Sequence, residues 1–342
     1  MPRLARIDLP QVCTWITRTA TERPDDLAAA VTERLGCSPA RARALLRQLV
    51  ALGWLDATPC GRRLRHAPGR LRQVVMRYPL AGLDEDLPWS RDFAPWFALP
   101  RHVREMAQHA FTELLNNAID HSGGHSVTVS MRQTPAHLQL LVCDDGRGLF
   151  DKVREAFGID DPAMAMLELA KGRLTSDPAR HTGRGLYFTS RLADVFDLHA
   201  NAVAFQHREW DPMSWKAGRA VRPQGSAIYL AIALDTERTL DQVMRSASLD
   251  STGYGIDRTR LPLRLIQRDD AGLESRAQAR RVAARLTEFR RAELDFAGID
   301  RIGQGFADEL FRVFGRQAPG LALEVHNASP QVRAMIDLAR AA

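Results

Sequence analysis

The chain has 342 residues, 45% of them hydrophobic, and a formal net charge of +6. This length predicts about two or three domains, each with enough apolar material for a core. No run of about 18 apolar residues is present, and the opening "MPRLARIDLP" has no apolar signal core, so we expect a cytoplasmic protein without a membrane partner. The four cysteines are scattered without metal-binding spacing, which favours reduced thiols.

The first 78 residues predict three helices followed by a basic hairpin. Residues 8–20 form the first helix, the second closes at Gly36, and the third begins with Ser38 as N-cap and Pro39 in its first turn. The segment "GWLDATPCGRRLRHAPGRLR" then predicts two short strands around a turn. The segment from Ser38 to Leu80 contains nine arginines and one acidic residue, Asp56, so its formal charge is +8. The rest of the chain therefore has a formal charge of about −2 (+6 minus +8).

Three helices followed by a basic hairpin resemble a winged helix-turn-helix. The resemblance implies that residues 38–77 bind DNA, with the third helix in the major groove and the hairpin on phosphate. The alternative is a solvated basic surface that packs on another domain or partner. The residues assigned to nucleic acid on this basis are Arg41, Arg43, Arg47, Arg62, Arg63 and Arg65.

Residues 79–100 contain four prolines and two tryptophans and are predicted to be a connector packed onto the next domain. From 101 to 235 the pattern predicts one long helix, two strands ("SVTVSMRQ" and "HLQLLVCDDG"), a helix "GRGLYFTSRLADVFDL" and further strands. This order is typical of a two-layer α/β sandwich.

Four short motifs follow each other in this region. Glu113 and Asn117 lie four residues apart, so one helix face presents both. "DDGRG" places Asp144 at a strand end before Gly146 and Gly148. "TGRGL" places Gly183, Arg184, Gly185 and Leu186 at the start of a helix, where backbone N–H groups favour phosphate. Gly225 and Ser226 begin a later strand.

This set resembles the Bergerat-type ATP-binding domain of the GHKL superfamily, shared by gyrase, heat-shock chaperones, histidine kinases and mismatch-repair proteins. The resemblance implies ATP and Mg²⁺ as ligands. Asn117 would hold the metal, Glu113 would act as general base, and Asp144 would accept a hydrogen bond from the adenine amino group. The glycine boxes, Ser226 and the residues Arg184 and Leu186 would surround the nucleotide.

Residues 149–182 correspond to the ATP lid in this resemblance. The basic residues Lys171, Arg173 and Arg180 of this segment, and Arg184 in the glycine box after it, are candidates for contact with the γ-phosphate; Lys171 and Arg184 are preferred. A phosphoacceptor histidine is not expected, because no dimerising two-helix hairpin precedes this domain. His121 is therefore interpreted as a helix-end residue.

Residues 236–260 are polar and predict a linker. After them, a strand "LPLRLIQR" starts an alternation of strands and helices over 261–342, which resembles a STAS-like domain of unknown function found after GHKL modules. The resemblance implies a protein partner. Antagonists of this type carry a phosphoacceptor serine after the second strand, whereas here that junction, 302–305, reads Ile-Gly-Gln-Gly.

The sequence thus predicts a multidomain protein: a winged helix, an ATP-binding α/β sandwich and a small STAS-like α/β domain. Its function is expected to be an ATP-dependent regulatory switch that couples nucleotide state to nucleic-acid or partner binding. Two alternatives stay open, a serine kinase acting on a separate STAS partner and an ATP-binding scaffold that does not hydrolyse. Homodimerisation is also open.

Overall fold

A computed structural model describes residues 7–61, 63–174, 183–211, 215–221, 224–249, 255–267 and 272–341. The first part, which we name the N-terminal unit (residues 7–71), contains the three predicted helices and the predicted hairpin. Ser38 accepts a hydrogen bond from the backbone N–H of Arg41 at 3.3 Å, and Gly36 ends the second helix with φ +58°. The elements are α1 (Leu9–Glu22), α2 (Leu27–Leu35), α3 (Pro39–Ala51), β1 (Leu55–Cys60) and β2 (Arg63–Pro68).

The next strand belongs to the following sheet, which corrects the expected boundary at residue 78. Strand β3 (Arg72–Pro79) pairs antiparallel with β4 (Ser126–Gln133), from Arg72 opposite Gln133 to Pro79 opposite Ser126. Val74 and Tyr78 are buried in the core beneath that sheet. The sequence placed these residues with the basic segment, but long-range strand pairing decides their position.

The central unit (residues 72–249) is a seven-stranded antiparallel sheet with helices on one face. The strand order is β3-β4-β5-β9-β6-β7-β8. Leu138, Leu140 and Val142 of β5 alternate with more exposed residues, so one face of the sheet is buried under α4. The remaining elements are β5 (His137–Asp144), β6 (Val195–Ala200), β7 (Val203–Arg208), β8 (Trp215–Arg219), β9 (Ser226–Ala233), α4 (Arg101–His121), α5 (Leu149–Phe157), α6 (Pro162–Lys171), α7 (Gly185–Leu192) and α8 (Leu240–Ser246).

Two predictions for this sheet were wrong in detail. The segment "GRGLYFTSRLADVFDL" is a helix only to Leu192, and its end forms β6. Residues 236–260 are not simply a linker, because α8 begins there with a capping box between Thr239 and Gln242. Val243 of this helix is buried in the core, and the first strand of the C-terminal unit already starts at Arg258. Residues 250–254 lie outside the described part of the chain.

The connector packs on the central unit as predicted. It forms a π-helical turn (Pro88–Phe93) and a 3₁₀ turn (Ala94–Trp96). The rings of Trp89 and Phe93 lie 5.4 and 5.1 Å from the ring of Phe111 on α4. These contacts hold the chain against the helix that carries the first motif.

The C-terminal unit (residues 255–341) has a parallel sheet in the order β10-β11-β12, and the expected strand "LPLRLIQR" continues as a 3₁₀ turn after Pro262. Its elements are β10 (Arg258–Pro262), the 3₁₀ turn (Leu263–Ile266), α9 (Arg276–Ala283), a second 3₁₀ turn (Leu286–Glu288), β11 (Arg291–Asp295), α10 (Gln304–Ala307), a π-helical segment (Asp308–Phe314), α11 (Gly315–Gln317), β12 (Ala322–His326) and α12 (Pro330–Ala341).

The outer units contact different parts of the central unit. At the β3 edge, the Gln73 backbone N–H donates to Thr17 of α1 at 3.0 Å, and the Arg132 guanidinium lies 5.5 Å from the Trp54 ring. The C-terminal unit packs on α6 and near β8, and one apolar core runs through both units. None of the described helices has the length and apolar character needed to cross a membrane.

The position of β3 predicts how the chain tolerates shortening. A chain that begins at Leu71 keeps β3, whereas one that begins at Leu80 loses Val74 and Tyr78 from the core and leaves the edge of β4 unpaired. We expect the first to melt cooperatively and the second to melt at a clearly lower temperature or aggregate. Circular dichroism melting curves compare the two, and equal melting temperatures would contradict the assignment of β3.

Candidate functional site

A cavity of about 340 Å³ lies between α4, the end of β5, α5 and the start of α7. Glu113 and Asn117 of α4 both line it, as the four-residue spacing predicted, and Asn116 lines it as well. These side chains lie on a helix whose other face is buried against the sheet by residues such as Phe111 and Leu115. The apolar face therefore fixes the direction in which the polar side chains point.

Asp144 forms the inner wall of the cavity at the end of β5. Its side chain is buried, and Oδ1 accepts hydrogen bonds from the backbone N–H groups of Gly146 at 2.9 Å and Ser226 at 3.2 Å. Burial raises the pKa of this carboxyl above its usual value, and the two backbone donors oppose that rise. Both of these hydrogen bonds use Oδ1, which leaves Oδ2 as an acceptor for a ligand.

Glycine is required where the backbones around Asp144 approach each other. Gly225 has φ +74°, and a Cβ atom there would overlap the carbonyl oxygen of Asp144. Gly148 lines the cavity with φ +90°, and a Cβ atom would lie 2.6 Å from Oδ1 of Asn201. Gly146 does not line the cavity; a Cβ atom there would overlap the carbonyl oxygen of Ser122 at the end of α4. Its role is to let the loop pack against that helix.

The second glycine box also reaches the cavity. Gly183, Arg184, Gly185 and Leu186 line it at the N-terminus of α7. A Cβ atom at Gly185 would overlap the carboxylate of Glu113, so helix α7 begins directly beside α4. The backbone N–H groups of this helix start suit an anionic group. Residues 175–182, including Arg180 of the lid, lie outside the described part of the chain.

Lys171 lies elsewhere, although the sequence analysis preferred it as a phosphate contact. It is not among the lining residues, its side chain is fully buried, and its ammonium group pairs with Glu168 and donates to the carbonyl of Ala284 at 2.7 Å. Arg173 similarly donates to the carbonyl of Glu288 at 2.7 Å. The end of the described lid is thus directed at the C-terminal unit, because that unit supplies the partners of both side chains.

Two basic residues that line the cavity were not assigned to a ligand site in the sequence analysis. Lys152 of α5 lines it, and its Nζ donates to Nδ1 of His121, which also lines it, at 2.7 Å. Burial, with the nearby charge of Arg147, lowers the pKa of Lys152. The signal for His121 was present in the sequence, because it continues the four-residue spacing of Glu113 and Asn117 on the same helix face.

The arginines assigned to nucleic acid lie on the N-terminal unit, away from the cavity. Arg43, Arg47, Arg63 and Arg65 are exposed, and Arg41 is partly buried. Arg65 lies 3.5 Å from a carboxylate oxygen of Asp25, so its charge is partly compensated. Arg62 is outside the described residues. The described arginines of this set thus present an exposed basic surface across α3 and β2.

A group of acidic and histidine side chains occurs on the C-terminal sheet. Glu293, Glu324 and His326 lie close enough to share a cation. Glu293 is paired with Arg258, however, and Glu324 lies 3.2 Å from Arg291. This group is therefore accounted for as an ion-pair network across the sheet.

Comparison with known families agrees with this geometry. Residues 82–205 match the family described as the histidine kinase-like ATPase domain, and residues 278–333 match the STAS-like domain of unknown function (DUF4325). No curated protein matches the chain at a significant level. The chain therefore carries a histidine kinase-like ATPase domain of the GHKL type followed by a STAS-like domain. The cavity lies in the first of these domains, which implies that it binds a nucleotide.

The close approach of the Asp144 carbonyl to Gly225 predicts that a larger residue at position 225 would disturb the site. Gly225→Ala would force the loop away from Asp144, both through its positive φ and through overlap with the Asp144 carbonyl. We expect ATP affinity to fall at least about tenfold, a loss of roughly 1.4 kcal/mol, by calorimetric titration. Gly218→Ala, whose Cβ would meet nothing within 4 Å, is the matched control. Equal affinities for the two variants would show that this backbone approach does not shape the site.

The position of Lys152 beside His121 in the cavity wall predicts that Lys152 contributes to nucleotide affinity. Lys152→Met removes a cation from the cavity wall while keeping the aliphatic length of the side chain. We expect it to weaken ATP binding more than AMP binding, because ATP carries more negative charge for the missing cation to attract. Arg154→Met on the same helix is the control, since Arg154 is exposed and pairs with Asp151 at 3.3 Å. A loss that is the same for AMP and ATP would assign Lys152 a structural role instead.

Proposed function

We propose that the protein is an ATP-dependent regulatory switch, in which nucleotide bound in the central unit controls binding by the outer units. The cavity supports this proposal by its residue types. Asn117 and Glu113 occupy one helix face, Asp144 offers a carboxylate oxygen, and glycine backbones at 183 and 185 border the other side. These groups fit an adenine nucleotide with its base at Asp144 and its phosphates toward the start of α7.

The amide oxygen of Asn117 fits a hard cation such as Mg²⁺, which prefers oxygen ligands and would neutralise phosphate charge when bound. Glu113 lies beside the helix start at Gly185, where the terminal phosphate would be, and is the candidate general base for activating an attacking hydroxyl. Arg184 and Lys152 also line the cavity and supply positive charge there.

The contact between the lid and the STAS-like domain carries the proposal. Glu168 at the end of α6 pairs with Lys171 and, at 3.1 Å, with Arg285 of the STAS-like domain. Arg285 also donates a hydrogen bond to the backbone carbonyl of Arg173 at 3.0 Å. The hydroxyl of Thr259 donates to the backbone carbonyl of Lys171 at 2.9 Å. A nucleotide that rearranges the lid would therefore have to move the STAS-like domain or break these hydrogen bonds.

The basic face of the N-terminal unit is the proposed nucleic-acid surface. Arg43 and Arg47 on α3 and Arg63 on β2 are exposed, and phosphate contacts by such arginines would make binding weaken as salt rises. The unit is attached to the β3 edge through Thr17 and Gln73. It therefore sits on the same sheet that forms the nucleotide cavity, which offers a physical route for coupling.

This arrangement predicts that Mg-ATP changes DNA affinity. Coupling free energies between sites are typically about 1–3 kcal/mol, or roughly 5- to 150-fold in affinity. Asn117→Ala is expected to abolish the effect because it removes the proposed metal ligand. Arg285→Gln is expected to reduce it without loss of ATP binding, because it breaks the contact with Glu168.

Fluorescence anisotropy with labelled duplex DNA, at fixed salt with and without Mg-ATP, measures this coupling. The matched control is Arg290→Gln, since Arg290 is an exposed neighbour on the same domain. An affinity that Mg-ATP leaves unchanged in the wild-type chain would overturn the proposed switch. A full ATP effect in Arg285→Gln would instead show that the lid contact is not the coupling element.

The fold of the ATPase domain also supports a second candidate, a serine kinase that acts on a separate STAS partner. The STAS-like domain of this chain has no Ser or Thr at 302–305, so the acceptor would belong to another protein. Radiolabelled γ-phosphate distinguishes the candidates: label on a partner indicates a kinase, free phosphate indicates an ATPase, and binding with neither product indicates a scaffold.

A further inference from the structure

A second cavity, of about 680 Å³, lies between the ATPase domain and the STAS-like domain. On one side it is bordered by the carboxyl ends of the parallel strands, through Pro262 of β10, Asp295 of β11 and Asn327 after β12. Ser190 and Arg191 of α7 lie on the ATPase side. Ligands of open parallel α/β sheets commonly bind at the carboxyl ends of strands, and this volume is within the usual range for small-molecule sites.

Arg191 provides positive charge on the ATPase side of this cavity. Its guanidinium lies 3.5 Å from the Tyr187 ring centroid and donates to the carbonyls of Tyr187 at 3.2 Å and Ala170 at 3.4 Å. Burial lowers the pKa of Arg191, whose side chain is partly buried. Over the described ranges, no carboxylate forms an ion pair with it. The neighbouring Arg238 and Arg260 differ, because they pair with Asp194 and Asp295.

His207, another lining residue, lies in the same positively charged environment. Its pKa is lowered to about 4, first by burial and then by the charges of four arginines, which include Arg191, Arg238 and Arg260. The ring is therefore neutral at pH 7. Its Nδ1 is buried and has no hydrogen-bond partner in the described part of the chain. Three acidic side chains also line the cavity: Glu209 is exposed, Asp211 pairs with Lys216 at 2.7 Å, and the buried Asp295 pairs with Arg260.

We propose that this interdomain cavity binds a small phosphate-bearing ligand, with the guanidinium of Arg191 as its principal contact. A bound phosphate would form the ion pair that no carboxylate of the described ranges forms with Arg191. The hydroxyl of Ser190 and the side chain of Asn327 are placed to contact the rest of the ligand. This site is separate from the nucleotide cavity, and the proposal does not depend on ATP acting there.

The two cavities share walls, which gives the second site a regulatory role. Leu169 and Ala170, adjacent at the end of α6, line the first and the second cavity respectively. Helix α7 has Gly185 at the first cavity and Arg191 at the second. A ligand held between the domains would stabilise their docked arrangement, and its binding would be reciprocally linked to that of ATP.

The test is calorimetric titration of the full chain with inorganic phosphate, pyrophosphate and ribose 5-phosphate, none of which carries an adenine base for the nucleotide cavity. Ser246 of α8 lines the second cavity at an exposed position, so it accepts charged substitutions with little effect on folding. Ser246→Glu places a negative charge at the cavity, and Ser246→Lys is the matched control of opposite charge. Arg191→Gln removes the principal contact, and Lys152→Met alters only the first cavity.

We expect at least one of the three probes to bind the wild-type chain. Arg191→Gln should weaken that binding by about tenfold to a hundredfold, the usual effect of losing a charged hydrogen bond. Ser246→Glu should weaken it by charge repulsion, while Ser246→Lys and Lys152→Met retain it. Absence of binding by all three probes would overturn the proposal. So would binding that Ser246→Glu leaves unchanged, or binding that Lys152→Met removes, because the probe would then occupy the nucleotide cavity.

Discussion

The ion pair between Glu168 and Lys171 is the interaction on which the relation between the domains depends. Lys171 is fully buried, and burial alone would lower the pKa of its ammonium group. The pair is tolerated because Ala284 supplies a carbonyl oxygen and Arg285 supplies a second cation, both from the STAS-like domain. Removing one partner of such a buried pair costs about 3–5 kcal/mol. The end of the lid is therefore satisfied only while the STAS-like domain is docked.

Because of this dependence, the two halves of the lid segment have different surroundings. Its first helix, α5, faces the nucleotide cavity with Lys152, whereas the end of α6 is held by hydrogen bonds from another domain. Lids change conformation easily where few buried contacts hold them. Here the buried contacts are concentrated at residues 168–173, so the link to the STAS-like domain restrains that part of the lid. The segment that follows leads directly to Gly183 and the start of α7.

Local chemistry was predictable from the sequence, and long-range packing was not. The positions of Glu113, Asn117 and Asp144 follow from helix spacing and from a strand that ends at a glycine box, which are both local signals. The strand β3 was assigned to the wrong unit because its partner, β4, is about 50 residues away in sequence. Lys171 was assigned to the wrong place for a related reason. A basic residue in a lid is a plausible phosphate contact by sequence alone, and only the tertiary structure shows that its partners come from another domain.

Helix α7 contributes residues to both cavities. At about 1.5 Å per residue, the six residue steps from Gly185 to Arg191 span roughly 9 Å, which is short for a rigid helix. Its first turn cannot shift without disturbing Glu113, which packs against Gly185. Its last turn carries Arg191, whose guanidinium donates a hydrogen bond to the backbone carbonyl of Ala170 on α6. Under the proposals above, a change at either end would move this helix as one rigid body, with its position biased by the ligand in each cavity.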